Sequence, residues 1–441
     1  HQRPGLILQG GEDGDRRRIG LGETGHIVDQ DRVGPLMKDK AQQKKNPLLR
    51  KKGLPMFDIP FLVGVFALLF TGLAMLFSAG YADALNRYGD SYHYIKSQLF
   101  AVLIGLTAML IASFISYKFY RRFAWFFYGV CVVLLIAVLI FGKGEQKRWL
   151  NIGFQFQPSE LAKVAVVMAL ADYIARNRDN MKKFVKGIVL PCIIWGVPCL
   201  LVAVETHLSG AILIASIGIV MMIAGGCRLV FLAIPAAGAG VLGTILAFSV
   251  PYMKARIDTW LNPETDLLGD GWQVYQSLTT IGSGGLFGFG YGKSRQKYLY
   301  MSEPQNDFIF SIVCEELGWI GAVFVIALFA FFIWRGIYIA MHAPNTFSSL
   351  MVVGIISKTA VQVIFNIAVV TGSVPVTGVP LPFFSFGGTA LTVLLAEIGL
   401  VLYISRFATV EKGSEPTDDD NKKNLTAPTS DETATAEEGN I

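Results

Sequence analysis

The sequence predicts an all-α, polytopic membrane protein of ten transmembrane helices, and three observations carry that expectation. Only 16% of the 441 residues are charged, against roughly a quarter in soluble domains, so most of the surface does not face water. Apolar runs of about 20 residues, the length that crosses a hydrocarbon core, recur from Ile59 onward. Clusters of Lys and Arg fall in alternate loops, as the positive-inside rule requires.

In chain order, residues 1–57 are polar, charged and Gly-rich without a period, the composition of a disordered segment. Within them Met37, followed by KDKAQQKKNPLLRKK, reads as a natural start. No short apolar run with a small-residue cleavage site comes before Ile59, so no cleavable signal peptide is expected. Ten spans follow, at 59–79, 97–116, 123–142, 160–175, 187–204, 210–226, 229–250, 308–334, 348–371 and 386–405, forming one membrane domain over 58–408. Lys51, Lys52, Lys118, Arg121, Arg122, Arg176, Arg178, Lys182, Lys183, Lys186, Arg228, Arg335 and Arg406 all fall on one side, which is assigned to the cytoplasm. An even count of spans puts both termini there. The tail, 409–441, is acidic and low in complexity, a solvated cytoplasmic leash. The five cysteines lie in or beside apolar runs without CxxC spacing and read as small buried hydrophobes.

Two loops on the other side break the charge pattern. Residues 143–159 carry Lys143, Lys147 and Arg148, and residues 251–307 carry Lys254, Arg256, Lys293, Arg295 and Lys297. Long loops often escape the rule; the sharper reading is an anionic ligand gathered at the outer face. Residues 251–307 form a large extracytoplasmic loop between helices 7 and 8, and aromatic residues such as Trp260, Trp272 and Phe287 give it the apolar mass of an ordered segment. GWQVYQSLTTIG is amphipathic and is expected to lie in the interface plane. GSGGLFGFGYG permits close backbone approach, a candidate phosphate nest, although it lacks the strand–helix context of a nucleotide fingerprint. In KSRQK, an extended backbone would put Lys293, Arg295 and Lys297 on one face. Such a face suits a pyrophosphate, and the plainer reading is a solvated loop touching headgroups.

Four segments in order, GEQKRWLNIGFQFQPSELAK, WLNPETDLLGDGWQVYQS, RQKYLYMSEPQNDFIFSIVCEELG and PVTGVPLPFFSFGG, resemble the signatures of the SEDS family (shape, elongation, division and sporulation) of ten-span peptidoglycan glycosyltransferases. The likeness runs from about Ile59 to Arg406 and leans toward the division and sporulation branch. It departs where Gln305 and Asn306 replace the family's common His-Thr, and where Thr206 and His207 replace Pro-Asp. The resemblance implies polymerisation of lipid II (undecaprenyl-pyrophosphate disaccharide-pentapeptide) at the outer face of a bacterial cytoplasmic membrane. It also implies a class B penicillin-binding protein as transpeptidase partner, together with divisome or elongasome proteins. Nucleic acid is not an expected partner.

The resemblance further implies that Asp307 is the catalytic carboxylate. Extending a glycan needs a sugar hydroxyl to attack an anomeric carbon, and a carboxylate within reach takes the proton as attack proceeds. The lipid pyrophosphate leaves readily once basic residues, or a divalent cation such as Mg2+ or Mn2+, neutralise it. The plainer role for Asp307 is N-cap of the eighth span. Glu303 is the next candidate base. Glu315 lies about 12 Å deeper on Asp307's helix face and needs a partner, for which Lys163 and Lys358 are available. Lys163 would position the site by pairing with Asp307 or Glu160. Trp149, beside Arg148, reads by pattern as an interface anchor, and by resemblance as a lipid-substrate residue. PVTGVPLPFFSFGGTA reads as a broken segment lining a cavity, and the resemblance adds Thr377, Pro380, Ser385 and Gly387 as candidates. No metal cluster of Asp, His and Cys is visible. The rival reading is a lipid II flippase or secondary transporter, a class that favours midplane charges and inverted repeats. The sequence shows no clear repeat, and its polar chemistry gathers at the outer mouth.

Overall fold

The computed structural model describes residues 57–141, 150–151, 155–205, 207–233, 237–238, 241, 251–261, 270–298, 300–301 and 303–408. The expected terminal segments, Arg148, Trp149 and most of the expected seventh span lie outside them.

The described chain runs α1 (Ile59–Tyr88), α2 (His93–Ala112) and α3 (Tyr117–Phe141), then an antiparallel two-stranded ribbon of β1 (Leu150–Asn151) and β2 (Gln155–Phe156). There follow α4 (Pro158–Arg176), α5 (Leu190–Val204, entered through a π turn from Val185), α6 (Leu208–Ala224), α7 (Pro251–Leu261) and α8 (Asp270–Ser283). The chain closes with α9 (Ile309–Met341), α10 (Thr346–Val370) and α11 (Gly388–Ala408). Seven of these elements are long and apolar enough to cross a membrane: α1, α2, α3, α5 with its π turn, α9, α10 and α11. The protein is thus a polytopic helical bundle.

Local chemistry sets the helix ends. Asp58 caps α1 by accepting from the Phe61 amide at 2.9 Å, and its carboxylate also holds Arg335 of α9 at 2.7 Å. The hydropathy pattern ends this span at residue 79, but α1 continues to Tyr88. Its polar last turns are held by an i,i+4 pair, Asp83 with Arg87 at 2.8 Å, before Gly89 closes the helix. This overhang supplies part of the site below. The fourth expected span, α4, carries Glu160, Lys163 and Asp172 and is still buried over most of its length, packed against α3, α5, α6 and α10. Its charges are tolerated because each is paired within the bundle.

The glycine-rich segment after α8 has a structural task, which corrects the phosphate-nest expectation. α9 is broken at Gly318 (φ 67°, ψ −167°), roughly 14 Å along the helix from Ile309. A break at that depth leaves backbone groups without helical partners, and such groups must be satisfied inside protein. Residues 285–290 do this: the Phe289 and Gly290 amides donate to the Glu315 and Glu316 carbonyls at 3.0 and 2.9 Å. The Trp319 and Ile320 amides donate back to the Gly285 and Leu286 carbonyls. A Cβ on Gly318 would come within 2.4 Å of the Gly288 nitrogen, so glycine is required. α8 runs alongside the start of α9, with the Ser277 hydroxyl donating to the Val370 carbonyl at 2.7 Å and lying 3.0 Å from that of Ser311. The amphipathic segment therefore packs one face against α9 and α10.

Candidate active site

Asp307 sits in the turn that leads into α9. The N-cap position of α9 is Phe308, so Asp307 stands one residue before the place expected of it. Its half-buried carboxylate lies against the 375–388 loop: a Cβ on Gly378 (φ 68°) would stand 3.1 Å from Asp307 Oδ2. The backbone around it is clamped from three sides. Asn366 of α10 donates through one amide nitrogen to the carbonyls of Asp307 and Val379, both at 2.7 Å. The Ser385 hydroxyl donates to the Asn306 carbonyl at 2.5 Å and accepts from the Leu381 amide at 2.8 Å. The Phe386 amide donates to the Gln305 carbonyl at 2.9 Å.

The third clamp comes from the α1 overhang. Buried Asp83 accepts from Arg87 Nε at 2.8 Å, the Tyr94 hydroxyl at 2.6 Å and Gln305 Nε2 at 3.1 Å. Gln305 thereby holds the turn two residues before Asp307. Glu303, in the left-handed region at φ 51°, accepts from Asn306 at 2.9 Å and pairs with Arg87 at 3.3 Å. Around Asp307, the buried oxygens Oε1 of Gln305, Oδ1 of Asn306, Oδ1 of Asn366 and Oγ1 of Thr377 have no hydrogen-bond partner among the described residues. Buried polar atoms are nearly always satisfied, so these oxygens call for a polar partner, water or ligand.

Lys293, Arg295 and Lys297 do not share a face. Lys293 and Arg295 are exposed, with the Arg295 guanidinium 5.1 Å from the Phe289 ring centre. Lys297 is buried at 2% exposure, because its ammonium pairs with Glu316 at 3.0 Å and donates to the Gly292 carbonyl and the Ser78 hydroxyl. The expected pyrophosphate strip is therefore two residues, and the third is a structural cation. Glu316 also accepts from the Gly292 and Ser294 amides and from Ser78. Glu315 is held by the Ser294 hydroxyl and the Arg295 amide, not by Lys163 or Lys358 as expected.

Those two lysines have other partners. Lys163 pairs with Glu160 at 2.7 Å, the second of its two expected partners, and Lys358 pairs with Glu397 of α11. The Ser159 hydroxyl lies 3.4 Å from the His207 ring nitrogen. A polar stripe on α10 joins this level to the mouth: Lys358, Gln362 and Asn366 stand four residues apart, and Gln362 donates to the Pro380 carbonyl at 2.9 Å. Asp83, Gln362, Asn366 and Gln98, whose Oε1 accepts from the Gly387 amide at 3.2 Å, carry no motif and were not singled out by sequence reasoning. Arg256 was seen only as loop charge; it donates to the Val376 carbonyl, next to Thr377. The i,i+4 spacing of Asp83 and Arg87, and of Gln362 and Asn366, is the one signal that points to them. Among the described residues no three His, Cys, Asp or Glu groups converge as a metal-holding set.

Residues 60–410 match the family model for the cell cycle proteins FtsW, RodA and SpoVE. The chain is 40% identical to stage V sporulation protein E of Bacillus subtilis over 359 residues, covering 80% of this chain and 97% of that protein. It is 35% identical to a probable peptidoglycan glycosyltransferase FtsW of Trichlorobacter lovleyi over 368 residues, covering 81% and 96%. Its fold is similar to a chain of a peptidoglycan synthase complex solved for the coordination of polymerization and crosslinking, at TM-score 0.67 and 26% identity over 80% of this chain and 98% of that one. It is also similar to the rod shape determining protein RodA of Thermus thermophilus, at TM-score 0.59 and 26% identity over 79% and 97%.

Proposed function

Because the chain belongs to the FtsW/RodA/SpoVE cell cycle family, we propose that it is a peptidoglycan glycosyltransferase that polymerises lipid II during division or sporulation. It does so at the outer face of the bacterial cytoplasmic membrane, with ten spans, both termini inside and residues 251–307 outside. The observation that carries this reading is the Asp307 carboxylate, set beside Gly378 in a mouth whose backbone three segments clamp and whose buried oxygens are left for a ligand. Asp307 accepts the proton of the attacking sugar hydroxyl. The new bond forms from that oxygen to the anomeric carbon, and the bond from the anomeric carbon to the lipid pyrophosphate breaks. Exposed Lys293 and Arg295 neutralise the leaving pyrophosphate, Arg295 as a two-pronged donor. Arg148 and Trp149 join them as substrate contacts, and Thr377, Ser385 and Glu303 shape the mouth. Glu160 and Lys163 support it from below. The oxygen donors at the mouth suit a hard divalent cation, Mg2+ or Mn2+, held by Asp307 and Thr377; such an ion would neutralise charge on the pyrophosphate. A class B penicillin-binding protein is the proposed partner, supported by the similar chain in a complex that couples polymerization and crosslinking.

The test is glycan polymerisation by purified protein supplied with lipid II. Asp307→Asn should reduce the rate by about 10²–10⁴-fold, the usual worth of general-base assistance, while lipid II binding persists. A comparable rate in the variant would remove Asp307 from this role and turn attention to Glu303. One observation favours the transport reading: the buried charges of Lys163, Glu160, Lys358 and Glu397 lie inside the bundle. Translocation of labelled lipid by a parent protein that makes no glycan would decide for it.

A further inference from the structure

At the end of the bundle opposite Asp307, the first turns of α3 and the last turn of α4 enclose an open cavity of about 390 Å³, lined by Tyr117, Lys118, Arg121, Arg122 and Arg176. Arg121 contacts the ring of Phe347 on α10. Phe347 stands nineteen residues from Asn366, the residue that holds the Asp307 carbonyl, so the two ends are roughly 29 Å apart, about the thickness of a hydrocarbon core. The cavity is built, not merely basic. Asp172 lies at its base with its side chain at 0% exposure, and accepts from Arg121 Nε and Arg176 Nε, both at 2.9 Å, and from Trp125 Nε1 at 2.9 Å. Holding each guanidinium by its Nε restricts its orientation and leaves the terminal nitrogens outside the Asp172 contact. Four cations line the cavity against this one carboxylate.

We propose that this cavity binds the headgroup of an anionic glycerophospholipid, and under the topology above it does so in the cytoplasmic leaflet. Two oriented guanidinium forks and two further cations match a phosphodiester oxygen pair. What points to a lipid rather than an acidic peptide is the surface directly beyond the cavity. Along α3 from the cations, Phe119, Phe123, Trp125 and Phe126 are 41–71% exposed, an apolar wall placed where acyl chains would lie. A soluble acidic segment would use the cations and leave that wall bare. The chain's own tail, with Asp418, Asp419 and Asp420, is the competing occupant.

The test uses Lys118→Gln/Arg122→Gln in the full chain, since neither residue touches Asp172 and the pairing that joins α3 to α4 stays intact. In phosphatidylcholine nanodiscs the variant should melt like the parent. Adding phosphatidylglycerol should raise the parent's Tm, and native mass spectrometry should show retained phosphatidylglycerol. The variant should bind it roughly 30-fold more weakly, at about five-fold per basic residue removed from an anionic surface. Equal retention of phosphatidylglycerol by parent and variant would overturn the proposal. So would inorganic phosphate alone reproducing the Tm shift in phosphatidylcholine nanodiscs. A gain in phosphatidylglycerol affinity on Asp418→Asn/Asp419→Asn/Asp420→Asn would assign the cavity to the tail instead.

Discussion

Glu316→Gln should be among the most destabilising single changes in the bundle, and the structure lets its size be worked out. The carboxylate accepts from Ser78 within 2.7 Å on both oxygens, from the Gly292 amide at 3.0 Å, from the Ser294 amide at 3.1 Å and from Lys297 at 3.0 Å. Glutamine is nearly isosteric but neutral, and one of its two positions donates where four groups need an acceptor. Lys297, 3% exposed at its side chain, is then a buried cation without a counter-charge, a loss of about 3–5 kcal/mol. One backbone amide of the 292–294 turn also loses its acceptor, about 1–3 kcal/mol. The two share one network and do not add fully, so the total is on the order of 4–6 kcal/mol. Unfolding of the reconstituted protein by heat or denaturant reads this directly. The decisive variant is Glu316→Gln/Lys297→Met, which removes the stranded charge and should recover about half of the loss. If the double variant is no more stable than Glu316→Gln, the ammonium is not confined beside the carboxylate and the reasoning fails.

Three further changes probe other parts of the molecule. Gly318→Ala forces a side chain into φ 67° and against the Gly288 nitrogen at 2.4 Å; it should cost more than about 1–3 kcal/mol and loosen protection of the 285–290 amides in hydrogen exchange. Asp83→Asn removes the charge that Arg87, Tyr94 and Gln305 share. It should lower kcat about 10–100-fold with KM little changed, and Asp83→Asn/Gln305→Glu, which returns a carboxylate beside Arg87, should restore part of it. Burial pushes the Glu205 carboxyl, just past the end of α5, from an ordinary 4.5 up to about 8. The folded state therefore keeps a proton that the unfolded chain releases, so stability should fall as pH rises from about 4.5 to 8, by up to about 1.4 kcal/mol per unit. Glu205→Gln should flatten that slope in melts taken across the window, and an unchanged slope would assign it to other groups.

Hydropathy made the spans legible because burial in lipid is a property of composition averaged over about 20 residues. α9, α10 and α11 begin within two residues of their expected starts for that reason. The same averaging hid the last turns of α1, where Asp83 and Arg87 satisfy each other and let a polar stretch stay helical. It also gave no hint of the break in α9 and its repair, since Gly318 and the glycine loop are 30 residues apart in sequence and meet only in three dimensions. Alternation in KSRQK predicted one face for three cations, but that inference assumed an extended strand. The chain turns at 296–298, because the Glu316 carboxylate draws Lys297 inward. Asp307 was singled out by the family resemblance, its place before an apolar run pointing only to a cap; its clamps gave no signal, since amides such as Gln362 and Asn366 look in sequence like ordinary interruptions of a span.

The contrast between depth and mouth separates scaffold from site. Below the mouth, Glu160 with Lys163, Glu397 with Lys358, and Glu316 with Lys297 form closed pairs, each cation facing a carboxylate. Closed pairs in low dielectric hold geometry, and a single unpaired charge there would be expensive. At the mouth the balance reverses: the carbonyls of Asn306, Asp307, Val379 and Pro380 are engaged by Ser385, Asn366 and Gln362, whereas buried oxygens of Gln305, Asn306, Asn366 and Thr377 have no partner among the described residues. Gln305 and Asn366 each use the side-chain nitrogen to hold a neighbouring segment and leave the side-chain oxygen over. A site built this way holds the backbone at Asp307 in place before any substrate arrives, which is what the proposed general base needs if proton transfer is to keep step with bond formation. It follows that Asn366→Asp, which keeps the shape but replaces the donor with a second carboxylate, should be worse for catalysis than Asn366→Ala. The alanine variant loses a clamp, whereas the aspartate also sets a repelling charge beside Asp307. Polymerisation by the aspartate variant at or above the alanine rate would show that the clamp, and not the charge balance at the mouth, is what the amide provides.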